Sequence, residues 1–149
     1  MRLVLDSSVL IAAVKPSEPG HAASVDLLSR LRCAIASSEA TAFAPPELWL
    51  EVHVVEQRLA ASGRGVAGVA MSGLRVELVA PADLDELTAF LALLTRRMRG
   101  RRPFANATDL AYLWAASSVD ATVVTLDEGL LRYHGVVCDV TRPGHVRLG

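Results

Sequence analysis

Four carboxylates, Asp6, Glu51, Asp109 and Asp127, are spaced as a divalent-metal hydrolase would need them. Asp6 closes the apolar run that starts at Arg2, and Asp127 closes a second one that starts at Thr122. An aspartate at the end of a buried strand puts a charge where the apolar interior stops. In an open α/β sheet, the carboxyl ends of the strands form the crevice in which ligands bind. Glu51 and Asp109 lie in helix-like stretches between the two runs and could complete the cluster. Bunched carboxylates repel, so they take up protons or a cation. Hard oxygen donors select Mg²⁺ or Mn²⁺. Each acid also has a plainer role open to it. Asp6 and Asp127 could cap the helices that follow them. Asp109 and Glu47 could complement a helix dipole, and Glu51 could be a boundary acid reaching for water.

The elements that would position these acids follow from hydrophobic periodicity. Residues 2–5 and 121–126 read as buried parallel strands, 41–44 as a weaker strand stopped by Pro45-Pro46, 74–79 as an alternating strand, and 136–140 as the last. Helical patterns fill 9–14 and 21–36, with Val25, Leu28, Leu31 and Ile35 inward. Another covers 47–61, with Leu48, Val52, Val55 and Leu59 in one stripe. A helix from about 83 carries Leu84, Leu87, Leu91 and Leu94 inward. Two further helices are expected, one after a cap at Asn106 or Thr108 and a short one from Asp127. Strands alternating with helices predict a three-layer α/β/α fold around a mostly parallel sheet of four to five strands, in one domain over residues 1–149.

Composition narrows the function. The net charge of −1 excludes a strongly basic nucleic-acid binder read from charge alone. Lys15 is the only lysine, and arginine supplies the remaining positive charge. Five arginines crowd into residues 96–102: Arg96, Arg97, Arg99, Arg101 and Arg102. They suit an RNA backbone, a helix end complementing its dipole, or an acidic partner. Cys33 and Cys138 lack metal-ligand spacing and are expected reduced and buried. No secretory signal or membrane span is legible, so a cytoplasmic protein without membrane contact is expected.

Four segments, taken in order, resemble the PIN-domain family, most closely its VapC-like toxins, over nearly the whole chain. Leu3-Val-Leu-Asp-Ser-Ser-Val-Leu-Ile-Ala12 is similar to the family's opening strand, aspartate and serine turn. Pro46-Glu-Leu-Trp-Leu-Glu-Val52 resembles its second motif and assigns the family glutamate to Glu51, with Glu47 a rival one turn earlier. Thr108-Asp-Leu-Ala-Tyr-Leu-Trp-Ala115 resembles the third, although Leu110 stands where many relatives carry alanine. Val124-Thr-Leu-Asp-Glu-Gly-Leu130 resembles the fourth.

The resemblance implies a ribonuclease that hydrolyses RNA phosphodiester bonds with Mg²⁺ or Mn²⁺. Asp6, Glu51, Asp109 and Asp127 would be its catalytic and metal-binding residues, and Ser7, Ser8 and Thr125 would orient them. It also implies a toxin that pairs as a homodimer and is blocked by a cognate antitoxin. The antitoxin would leave its trace as an exposed apolar patch near 9–14 and the 47–59 helix. Trp49 and Trp114 are expected in the core or a dimer contact. A housekeeping RNA-processing nuclease and a non-catalytic PIN-like binding module are the alternatives. A receiver-like phosphoacceptor fits poorly, because Lys15 is in the wrong place for its lysine.

Overall fold

The computed structural model describes residues 1–61, 73–98 and 106–148. Five parallel strands form one sheet: β1 (Arg2–Leu5), β2 (Thr41–Ala44), β3 (Val76–Leu78), β4 (Thr122–Val124) and β5 (Val140–Thr141). Their spatial order is β3-β2-β1-β4-β5. The continuous apolar run of β1 is explained by its place at the centre, with Leu3, Val4 and Leu5 fully buried. The alternating pattern around β3 belongs to an edge strand, where Leu78 faces water.

From β1 the chain steps through β2 to β3, then returns across the sheet to β4 and β5. Right-handed crossovers running in opposite directions place their helices on opposite faces, which makes the three layers. The reversal falls between β1 and β4. They pair in register, Leu5 opposite Val124, and the amide of Asp6 donates to the Val124 carbonyl at 3.0 Å. Both carboxyl ends therefore open at the same point of the sheet edge.

Among the described residues the α-helices are α1 (Ser7–Val14), α2 (His21–Ala36), α3 (Glu47–Ala61), α4 (Leu84–Met98), α5 (Ala107–Ser118) and the short α6 (Glu128–Leu131). The stripe expected on α3 is observed, with Leu48, Val52 and Leu59 buried. Two other stripes are rotated. On α2 the inward residues are Ser24, Leu27, Leu28, Leu31 and Ala34, while Val25 is exposed. On α4 they are Phe90, Leu94 and Met98, while Leu84 and Leu91 face out. Leucine lies on several faces of both helices, so periodicity alone left the rotation open.

The last strand is also displaced. Val136 and Val137 lie in the turn after Gly135, whose φ of 72° suits glycine, and pairing with β4 begins only at Val140. Cys33 is exposed rather than buried, because it sits on the outer face of α2. Cys138 is partly buried, and burial together with the nearby Asp139 charge pushes its thiol up to about 12, which keeps it unreactive.

Buried inside α2, the Ser24 hydroxyl has no hydrogen-bond partner among the described residues. Leaving a buried hydroxyl unpaired costs about 1–3 kcal/mol. Ser24→Ala removes that cost and improves helix propensity. It should raise stability by about 1 kcal/mol, seen as a melting temperature about 2–4 °C higher. A lower melting temperature would show that the hydroxyl has a partner in solution.

Candidate active site

Asp6 directly follows β1 and occupies the cap position of α1, yet its side chain makes no capping bond. Instead Oδ2 accepts hydrogen bonds from Ser8 Oγ and from Thr125 Oγ1, the latter at 2.6 Å. Thr125 is fully buried just past β4 and also accepts from the Asp127 amide at 2.9 Å. Ser8 Oγ accepts from the Leu126 amide at 3.0 Å. Ser8 and Thr125 thus stitch the ends of the two central strands together around one carboxylate.

Asp127 does cap its helix, accepting from the Gly129 amide at the start of α6. Space beside that glycine is tight. A Cβ built at Gly129 would lie 2.8 Å from Asp127 Oδ1 and 3.8 Å from Asp109 Oδ2, so both carboxylates border one spot.

Asp109 comes from the first turn of α5. Asn106 caps that helix by accepting the Asp109 amide at 2.8 Å. Three residues on, Tyr112 lies on the same helix face. Its hydroxyl donates to Glu51 Oε2 at 2.6 Å. Ser7 stands near the same phenol and acts to lower its pKa. The phenol is pushed well above its ordinary range, first by burial and then by its bond to Glu51, so it acts as a fixed donor. Tyr112 is the site residue that motif reading missed. Its spacing from Asp109 was the available signal.

The electrostatics tie the four acids together. Burial is the main cause that raises the Asp6 carboxyl above its ordinary value of 3.8, and Glu51 and Asp127 add to it against the lowering bonds from Ser8 and Thr125. Asp109 is raised likewise, by burial first, then by Asp127 and Asp6, with Glu51 a smaller contribution. Asp6 is 5% and Asp109 7% exposed, whereas Glu51 is half-buried and Asp127 exposed. The pocket therefore has a dry floor and a wetter rim. Glu47, the rival acid, is exposed one turn away and lines a separate apolar cavity beside Phe90 and Trp114.

The donor set, hard oxygens of mutually repelling carboxylates, suits a hard divalent cation. Among the described residues, however, no three His, Cys, Asp or Glu side chains stand close enough to share one ion. Asp6, Glu51 and Asp127 each turn an oxygen to a protein donor. Of the expected RNA-binding residues, Arg96 and Arg97 are exposed at the end of α4. Arg97 donates to the Val136 carbonyl at 2.9 Å. Arg99, Arg101 and Arg102 lie outside the described residues.

No protein-family profile matches the chain, and no curated protein sequence does. Solved structures do. VapBC2 from Rickettsia felis, solved bound to a DNA fragment from its promoter, superposes with a TM-score of 0.59 at 15% identity, covering 95% of this chain and 98% of that one. FitAB bound to the IR36 DNA fragment gives 0.58 at 18% identity, covering 97% of each chain. The fold is that of a PIN domain. PAE2754 from Pyrobaculum aerophilum agrees, with a TM-score of 0.55 at 17% identity over 95% of this chain and 83% of that one. The resemblance read from four short motifs thus extends to the PIN-domain path of the described backbone. At these identities the likeness speaks for the fold and not for the chemistry.

Proposed function

We propose that the protein is a divalent-metal-dependent endoribonuclease that hydrolyses RNA phosphodiester bonds and serves as the toxin of a toxin–antitoxin pair. The observation that carries this reading is the placement of the acids where β1 and β4 end in a PIN-domain fold: Thr125 holds Asp6, Asp127 and Asp109 border one spot, and Tyr112 on the helix of Asp109 holds Glu51. Asp6, Asp109, Asp127 and Glu51 would hold Mg²⁺ or Mn²⁺, which when bound supplies charge neutralisation and Lewis acidity for attack of water on phosphorus. The protein's own groups do the positioning. Ser8 and Thr125 hold Asp6, and Tyr112 holds Glu51. Asn106 fixes the turn that carries Asp109.

The partners belong to the same proposal. VapBC2 and FitAB were each solved bound to DNA, and we place a cognate antitoxin and a second copy of this chain among the partners. The apolar face of α3 supports one of them, with Trp49, Leu50 and Val54 exposed, Leu50 to 69%. The part of the expected patch on α1 is not exposed, since Val9, Leu10 and Ala12 are buried under α2 and α3. Trp114 is core, whereas Trp49 is half-exposed on this patch. Among the described residues, no helix is long and apolar enough to cross a membrane.

Cleavage of single-stranded RNA in Mg²⁺ or Mn²⁺ tests the reading. Glu51→Gln should lower kcat/KM by about 10²-fold, the scale of a lost transition-state charge interaction, while Glu47→Gln stays near wild type. The reverse result would make Glu47 the working acid. A non-catalytic PIN-like module gains support from the absence of a ready three-acid ligand group among the described residues. Wild-type protein that binds RNA or a protein partner but never cuts in either metal would establish that module instead.

A further inference from the structure

A cavity of about 460 Å³ opens beside the acid cluster, lined by Ser7, Ser8 and Asp127 on the one hand and by Glu18, Glu128 and Arg142 on the other. Arg142 is the only cation among its described lining residues. Its place follows from the sheet. Thr141 pairs with Val124, and the Thr125 amide donates to the Thr141 carbonyl at 2.9 Å. Arg142 is therefore the residue that leaves β5 alongside Thr125, the threonine that holds Asp6. An RNA strand brings a negative charge on every phosphate, and the acids here repel it. A cation at the strand ends is what such a cavity needs to admit a polyanion.

We propose that Arg142 is a positioning residue whose guanidinium grips an RNA backbone phosphate next to the scissile one. This rests on the nuclease reading above. Arg142 Nη2 donates to Glu128 Oε1 on α6. A guanidinium carries five N–H donors in a fixed fork, so this ion pair leaves donors for a phosphate. The side chain is 43% exposed, within reach of an incoming strand. Glu128 competes with the phosphate for the guanidinium. An ordinary exposed ion pair would stabilise little and would have no reason to line the cavity that holds Asp127.

The test is steady-state cleavage of a defined single-stranded RNA oligonucleotide across a salt series, together with anisotropy binding of the same RNA. Arg142→Ala should raise KM about tenfold or more, the scale of one charge-assisted hydrogen bond, with kcat changed less than about threefold. Losing one phosphate contact should also flatten the dependence of log KM on log salt by about 0.7. Arg142→Lys should recover part of the affinity, and Glu128→Gln should lower KM. Wild-type KM and salt slope in Arg142→Ala would overturn the proposal. So would a rise in KM for Glu128→Gln equal to that of Arg142→Ala, which would make the pair structural. If the wild type binds RNA through Arg142 but never cuts, the nuclease reading falls and the phosphate contact stands. If the wild type cuts and Arg142→Ala binds as well as it does, the reverse holds.

Discussion

Asp6→Asn is expected to abolish metal-dependent RNA cleavage while leaving the protein at least as stable as wild type at neutral pH. Amide and carboxylate have the same shape, and the amide oxygen can still accept from Ser8 and Thr125. What disappears is the negative charge on the driest floor of the pocket. A cation's charge stabilisation is worth several kcal/mol, so loss of a carboxylate proposed to hold it should lower kcat/KM by at least about 10²-fold.

Stability moves the other way. Burial and the neighbouring acids raise the folded-state values of Asp6 and Asp109 above the unfolded value of 3.8. Their contribution is fully present below that value and is lost as pH rises through the raised folded values. Without divalent cation, the wild type should therefore melt lower at pH 7 than at mildly acidic pH. Asp6→Asn removes its own share of that slope and part of that of Asp109, whose value is raised in part by Asp6. Melting curves without divalent cation at several pH values should show the variant gaining on wild type as pH rises. Expression of the two forms in growing cells gives an independent reading, with toxicity confined to wild type. Equal toxicity and equal cleavage by both would remove the acids from the mechanism.

Gly129→Ala is expected to cripple the site without unfolding the protein. The new Cβ would stand 2.8 Å from Asp127 Oδ1, closer than real contacts allow. The backbone at this glycine is not in the left-handed region, so alanine meets no conformational strain. The carboxylate gives way because it is the free end of an exposed side chain. Its bond to the Gly129 amide is lost with it, a capping loss of about 1 kcal/mol, which alanine's better helix propensity offsets by a similar amount. Melting temperature should stay within a few degrees of wild type. Moving Asp127 away from the spot it shares with Asp109 should lower kcat/KM by about tenfold or more and raise the Mg²⁺ concentration at half-maximal rate. Unchanged kinetics in a folded variant would show that Asp127 does not work from this position.

Much of this arrangement is legible in one dimension, for reasons that differ by element. The apolar run of β1 and the boundaries of α2, α3 and β2 follow from local pattern and from breakers such as Pro45-Pro46. Asp6 and Asp127 stand out because a charge at the end of a buried strand has few purely structural uses. The roles of the two diverge only in the fold: Asp127 caps α6, while Asp6 leaves α1 uncapped and turns to Ser8 and Thr125. Periodicity points part of the wrong face of α2 and α4 inward because Val25, Leu84 and Leu91 are apolar yet exposed. Hydrophobicity says that a side chain can be buried, and packing decides whether it is.

Residue types and their order along the chain determined the strand–helix alternation, the identity of the four acids and the kind of cation they would prefer, since these depend on local propensity and donor chemistry. Only the tertiary structure brought β4 beside β1, laid Arg142 next to Thr125 and set Tyr112 against Glu51. Those neighbours are separated by 17 to 119 positions along the chain. Their meeting is set by crossover handedness and by which faces find a partner in the core, and no local pattern encodes either.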